Sequence, residues 1–193
     1  MTSSRTLKLM SEVRDLQIVD SEGRKCGICD DIEFSGGPGS SLAISAILVG
    51  PGAWRRRLPG WMFEIVRRLA GERVTRVPWS AVAHVTSVIA LDRPASDFGL
   101  MQVEERVARI IRKAPGACWT ASDLYGALVR DQEGRRLGRV HEIHVASGEV
   151  RDLTIGPLGL LQRFGASRAG RRVSWRRVVR FENGSLILRG RRG

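Results

Sequence analysis

Apolar and polar residues alternate in short runs along most of the chain, and a period of two predicts strands. Leu16–Val19 and Ala127–Val129 are such runs, and each is followed by Asp-x-Glu-Gly, at Asp20–Gly23 and Asp131–Gly134. Asp can hydrogen-bond its own turn backbone and Gly accepts positive φ, so each reads as the bend of a hairpin. Gly27–Phe34 and Gly138–Val145 supply the returning arms. Val150–Ile155 predicts a third strand, and Arg171–Val179 and Ser185–Leu188 predict two more. Short strands between turn signals suggest a small barrel or sandwich.

Two stretches follow the helical period instead. Trp54, Leu58, Trp61, Met62, Ile65 and Leu69 recur at steps of three and four, with Arg55, Arg56, Arg57, Arg67 and Arg68 among them. Pro59-Gly60 breaks the first turn, so the helix is expected from Trp61 to Ala70. Val103, Val107, Ile110 and Ile111 mark a second helix, Leu100–Lys113, bounded by Asp92–Asp97 and by Ala114-Pro-Gly116.

The pattern occurs twice. Asp20, Glu22, Gly23, Arg24, Gly27 and Ile32 match Asp131, Glu133, Gly134, Arg135, Gly138 and Ile143 at a spacing of 111. Leu48–Pro51 faces Thr154–Pro157 at 106, and Arg76–Val82 faces Arg172–Val178 at 96. The first shortening falls at the Gly-rich loop Ser35–Ser41, the second at Pro51–Arg73. Three matches in one order indicate internal duplication. The expected architecture is mainly β, with two small barrels, an inserted helix in the first and a helical linker between them. The units run 1–95, 96–118 (linker) and 119–193. Trp79 and Trp175 occupy the same slot and are expected to fill the core or rim of each barrel.

Leu124-Tyr-Gly126, Val129–Ile143 and Val173-Ser-Trp175-Arg-Arg-Val178 resemble the opening hairpin and closing strand of the PRC-barrel family. The first half departs from that pattern, with Asp15 in the place of Gly126 and Cys26 in the place of Leu137. In that family the domain is a small β-barrel. It is found in the reaction-centre H subunit and in the C-terminal domain of a ribosome-maturation factor. The resemblance implies a binding or scaffolding module and supplies no catalytic motif.

Charge adds a direction. The 193-residue chain carries a net +12, from 29 Arg and 3 Lys against 20 acidic residues. Residues 1–97 are nearly balanced, with 13 basic and 11 acidic side chains, whereas residues 98–193 have 19 and 9. Fields of this sign attract polyanions, with affinity that falls steeply in salt. An Arg-rich composition alone would produce the same excess.

Cys26-Gly-Ile-Cys29 has the spacing of a redox pair or of half a zinc site. Only Cys118, His84, His141 and His144 could complete a metal set, and none forms a second close pair. Cys26 aligns with Leu137 and Cys29 with Val140, which favours the core for both. No catalytic triad, phosphate-binding loop or carboxylate pair stands out, so no enzyme, cofactor, metal or small-molecule substrate is expected. Three Cys make no disulfide framework. No signal peptide is evident, and the longest near-apolar run, Leu42–Val49, is too short to span a bilayer, so a cytoplasmic location is expected.

The leading expectation is a non-enzymatic binding protein that docks RNA or a ribonucleoprotein through its second half. Arg172 and Arg176 share a strand face with Val173 and Trp175 pointing the other way, which makes them the expected phosphate contacts, joined by Arg163 and Arg168. The alternative is an adaptor for a protein or a peripheral anionic membrane. It would use Trp54, Arg55, Arg56, Trp61 and Met62, because such helices lie at the headgroup layer.

Overall fold

The computed structural model describes residues 6–51, 53, 60–62, 64, 74–100, 119–156 and 170–190. The chain is mainly β, with a main sheet that curls into a half-barrel and a second, smaller sheet. In the first half the strands are β2 (Gln17–Val19), β3 (Lys25–Ile28), β4 (Asp31–Gly36), β5 (Leu42–Val49), β6 (Thr75–Pro78), β7 (Val82–Val85) and β8 (Ile89–Leu91). The second half holds β10 (Leu128–Arg130), β11 (Arg136–Ala146), β12 (Glu149–Gly156), β13 (Arg171–Ser174), β14 (Val178–Glu182) and β15 (Ser185–Leu188). Two short strands, β1 (Leu7–Lys8) and β9 (Trp119–Thr120), precede the halves.

Positions matched at the sequence spacings occupy matching registers. Ile18 pairs with Gly27 as Val129 pairs with Gly138. β2 runs parallel to β8 with Ile18 opposite Ile89, and β10 runs parallel to β15 with Val129 opposite Leu186. Ile47 faces Val77, and Leu153 faces Val173. Gly23 and Gly134 have φ of 77° and 80°, the left-handed bend that a hairpin of this kind requires.

The sequence pattern led to two separate barrels, but the ladder runs through both halves. The main sheet has eleven strands in the order β14-β15-β10-β11-β12-β5-β4-β9, with β1 on β11, β13 on β12 and β6 on β5. The halves meet where Glu149 of β12 pairs with Ala43 of β5, and the Ile44 amide donates to the Gly148 carbonyl at 2.8 Å. The smaller sheet is β3-β2-β8-β7. It separates from the main sheet because the returning arm of the first half breaks at Cys29-Asp30, whereas β11 passes the same point with a bulge between Val140 and Glu142.

The two short leading strands are exchanged. β1 of the first half pairs with β11 of the second, Leu7 against Val145 and Lys8 against His144. β9 pairs with β4 of the first half, Phe34 against Trp119 and Glu33 against Thr120. The turns that follow are anchored alike. The Met10 amide donates to Glu142 Oε1 at 2.7 Å, and the Ser122 amide donates to Asp31 Oδ1 at 3.1 Å. A five-residue π-turn, Leu9–Val13, stands where the second arm has a four-residue helix, Ala121–Leu124, which accounts for the one-residue offset between the arms. A reciprocal capping box between Thr120 and Asp123 starts that helix. Buried residues of both halves, among them Leu9, Ile18, Phe34, Ile47, Ile143 and Leu186, form one continuous core.

Each hairpin bend is organised by its Asp. Asp20 Oδ1 accepts the amides of Glu22 and Arg24, and its Oδ2 accepts the Ala95 amide and the Arg24 guanidinium, all within 2.9–3.0 Å. Burial would raise the Asp20 pKa, but these donors outweigh it and bring it down to about 2. A carboxyl lowered in the fold stabilises above its unfolded pKa, near 4, and loses that contribution as pH falls towards 2. Asp20→Asn should therefore flatten the acid limb of the stability–pH curve between about pH 4 and 2. Urea midpoints across that range would show it, and an unchanged slope would exclude the role.

The predicted linker helix lies outside the described residues. The chain leading to it forms a 3-10 turn, Ala95–Phe98, closed by Gly99 at φ 69°.

Candidate functional site

The basic segment of the second half is not one strand. β13 ends at Ser174, a 3-10 turn covers Trp175–Arg177, and β14 begins at Val178. Strict alternation across residues 171–177 therefore fails, because a 3-10 turn repeats every three residues. The turn lets Trp175 plunge into the core, where only 2% of it stays exposed, and its Nε1–H donates to the Ser40 carbonyl at 2.9 Å. Arg172 and Arg176 are exposed, and no described residue pairs with Arg176. Arg171, which alternation would place on the inward face with Val173, is exposed as well. Arg177 is half-buried, and its guanidinium donates to the Arg189 carbonyl at 2.9 Å. Arg163 and Arg168 lie outside the described residues.

A half-open groove of about 590 Å³ runs beside Trp175, between the Gly-rich loop of the first half and β12. Ser40, Arg151, Asp152, Arg176 and Arg189 line it. Glu149 and Arg151 pair at 3.1 Å. The groove is a mixed-charge, hydroxyl-bearing cleft. On the opposite side of the junction, Trp79 of the first half sits against Gly148, where an added Cβ would lie 3.5 Å from its Nε1. Each half's Trp thus reaches the other half's hairpin loop.

Beside the groove lies a polar row that sequence reasoning missed. His144 is 3% exposed, its Nε2 is 2.7 Å from Thr154 Oγ1, and Arg172 Nη2 is 3.4 Å from its Nδ1. An arginine only donates, so Nδ1 must accept. The ring is therefore neutral and carries its proton on Nε2, aimed at Thr154. Burial lowers the His144 pKa first and Arg172 lowers it further; Lys8, across from it on β1, acts the same way, while Glu142 on β11 and Asp152 on β12 oppose them. The matching place in the first half is filled differently. Arg76 donates through Nε and Nη2 to Glu33 Oε1 at 2.9 and 2.7 Å, and Ser45 Oγ donates to the same oxygen at 2.7 Å. The signal was present in the sequence: Arg76 aligns with Arg172 at spacing 96, and Glu33 with His144 at 111.

Cys26 and Cys29 are core residues, 6% and 0% exposed. Their Sγ atoms lie 3.5 Å from the Ile18 carbonyl and 3.7 Å from the Asp31 carbonyl. Burial raises both thiol pKa values, so the nucleophilic thiolate is disfavoured. His141 lies at the bulge of β11 between Val140 and Glu142, and His144, three residues on, faces Asp152 of β12.

Of the residues assigned to an interfacial helix, Gly60–Met62 and Glu64 are helical, and Trp61 and Met62 are 68% and 38% exposed. Trp54, Arg55 and Arg56 lie outside the described residues. Among the described residues no helix is long and apolar enough to cross a membrane.

No protein-family model matches the chain, and no curated protein matches it.

Proposed function

We propose that the chain is a non-enzymatic binding protein, built from two PRC-barrel-like units that arose by duplication, and that its second half docks on RNA or a ribonucleoprotein. The matching registers of the halves support the duplication, as do their like hairpin bends and the exchange of their leading strands. The observation that carries the docking is the pair of exposed guanidiniums at Arg172, on β13, and Arg176, in the turn fixed by buried Trp175, in the half that holds most of the excess charge. Phosphate contacts from such groups position a nucleic acid without reading its sequence.

Replacing Arg172 and Arg176 with Glu should weaken binding of a single-stranded RNA. The log–log salt slope should fall by about 1.4, two contacts at roughly 0.7 each. Titrations at several salt concentrations measure both. RNA binding by the variant equal to the parent's, or no binding by the parent, removes this function.

Exposed Trp61 favours a second reading, an adaptor at an anionic membrane surface. Anionic vesicles titrated in parallel separate the two. In that reading Trp61→Ser abolishes vesicle binding and leaves RNA binding unchanged.

A further inference from the structure

The two halves present the same arginine in the same place and treat it oppositely. Arg76 and Arg172 each lie on the strand that closes the half-sheet, one residue before the inward Val77 or Val173. Arg76 is held in an ion pair by Glu33, whose side chain is 14% accessible. At Arg172 the matching position carries His144, a buried neutral ring that accepts one long hydrogen bond and offers no charge. No described carboxylate pairs with Arg172. Thr154, opposite Arg172 on β12, has its hydroxyl engaged as the acceptor of the His144 proton, so that hydroxyl keeps its own hydrogen to donate.

We infer that Arg172 anchors a phosphate-group site in the second half, open because His144 stands where Glu33 closes the corresponding place in the first half. The site takes a phosphodiester or phosphate oxygen on the Arg172 guanidinium. The inference rests on the polyanion reading and deepens it: one half is the dock, and the other carries the same dock already filled by its own carboxylate. The geometry also couples the site to a proton. A bound phosphate favours the imidazolium form of His144, against Arg172 on β13 and Lys8 on β1, and adds to the pull of Glu142 on β11 and Asp152 on β12.

The test uses the full chain and two probes, inorganic phosphate and a ten-nucleotide RNA, at constant ionic strength. NMR signals of the His144 ring report on the site. In the parent, phosphate should shift those signals and raise the pH at which the ring titrates. Arg172→Gln, at an exposed position, should weaken phosphate binding by about tenfold or more, the loss of a charge-assisted hydrogen bond. His144→Glu should close the site as Glu33 closes its own. Phosphate that leaves the parent's His144 signals unmoved overturns the inference, as does Arg172→Gln binding like the parent. RNA binding that ignores both Arg172→Gln and His144→Glu sinks the inference while the polyanion reading stands. Phosphate binding in the expected pattern without RNA binding keeps the site and removes the polyanion.

Discussion

Gly138→Ala should cost about 2–6 kcal/mol and leave little folded protein in mild urea. The backbone at Gly138 has φ 140°, a region closed to residues with a side chain, and holding one there costs about 1–3 kcal/mol. A Cβ at this position would also overlap the carbonyl oxygen of Gly156 on the neighbouring β12. That obstacle is backbone in a ladder and cannot turn aside, so overpacking adds about 1–3 kcal/mol. Two sister positions grade the effect. Gly27 has φ 133°, but the added Cβ would meet Val49 Cγ1 at 2.8 Å, a side-chain methyl that can yield. Gly134 has φ 80° with nothing within 4 Å, so only the left-handed strain of about 1–2 kcal/mol remains. Urea midpoints should therefore fall in the order Gly138, Gly27, Gly134, the first most severely. A Gly138→Ala variant no weaker than Gly134→Ala would contradict the register between β11 and β12.

Trp175→Ala should be of the same size, about 3–5 kcal/mol, because it empties a large site in the core. Trp175 fills the space under β13 and ties the two halves together through its hydrogen bond to Ser40. Trp175→Phe keeps most of the volume and loses the N–H, which separates the two contributions; the hydrogen bond alone is worth about 1 kcal/mol. Trp79 is only half-buried, so Trp79→Ala should cost less. Unfolding of the parent should be one transition by both fluorescence and circular dichroism, since the core is continuous across the halves. A Trp175→Ala variant as stable as the parent would mean that the halves hold without this anchor.

The strands and their partners were legible because they rest on local chemistry. The Asp-x-Glu-Gly bends fix the hairpins, so the pairing of Ile18 with Gly27 and of Val129 with Gly138 follows from the pattern. The turn at Trp175–Arg177 holds no Gly or Pro, and its one sequence signal is the step of three from Trp175 to Val178, which ends the alternation begun at Val173. The exposure of Arg172 and Arg176 was anticipated; Arg172 lies in β13 opposite in parity to buried Val173, whereas Arg176 lies in that turn, and Arg171 at the start of the strand is exposed against parity. The exchange of β1 and β9 could not be read at all. A short strand carries the same pattern whether it pairs with its own half or with the other, and only the three-dimensional path decides. The His144–Arg172 row needed two spacings to be combined, 111 for one residue and 96 for the other.

The exchanged strands set an order of events during synthesis. β4 emerges from the ribosome early, but its outer edge stays open until Trp119 and Thr120 have been made. β1 emerges earlier still and waits for β11. A nascent first half therefore carries an unpaired edge, the usual template for joining a neighbouring chain. Asp31 and Glu33 lie on that edge strand. A chain stopped before residue 119 would keep that edge for its lifetime.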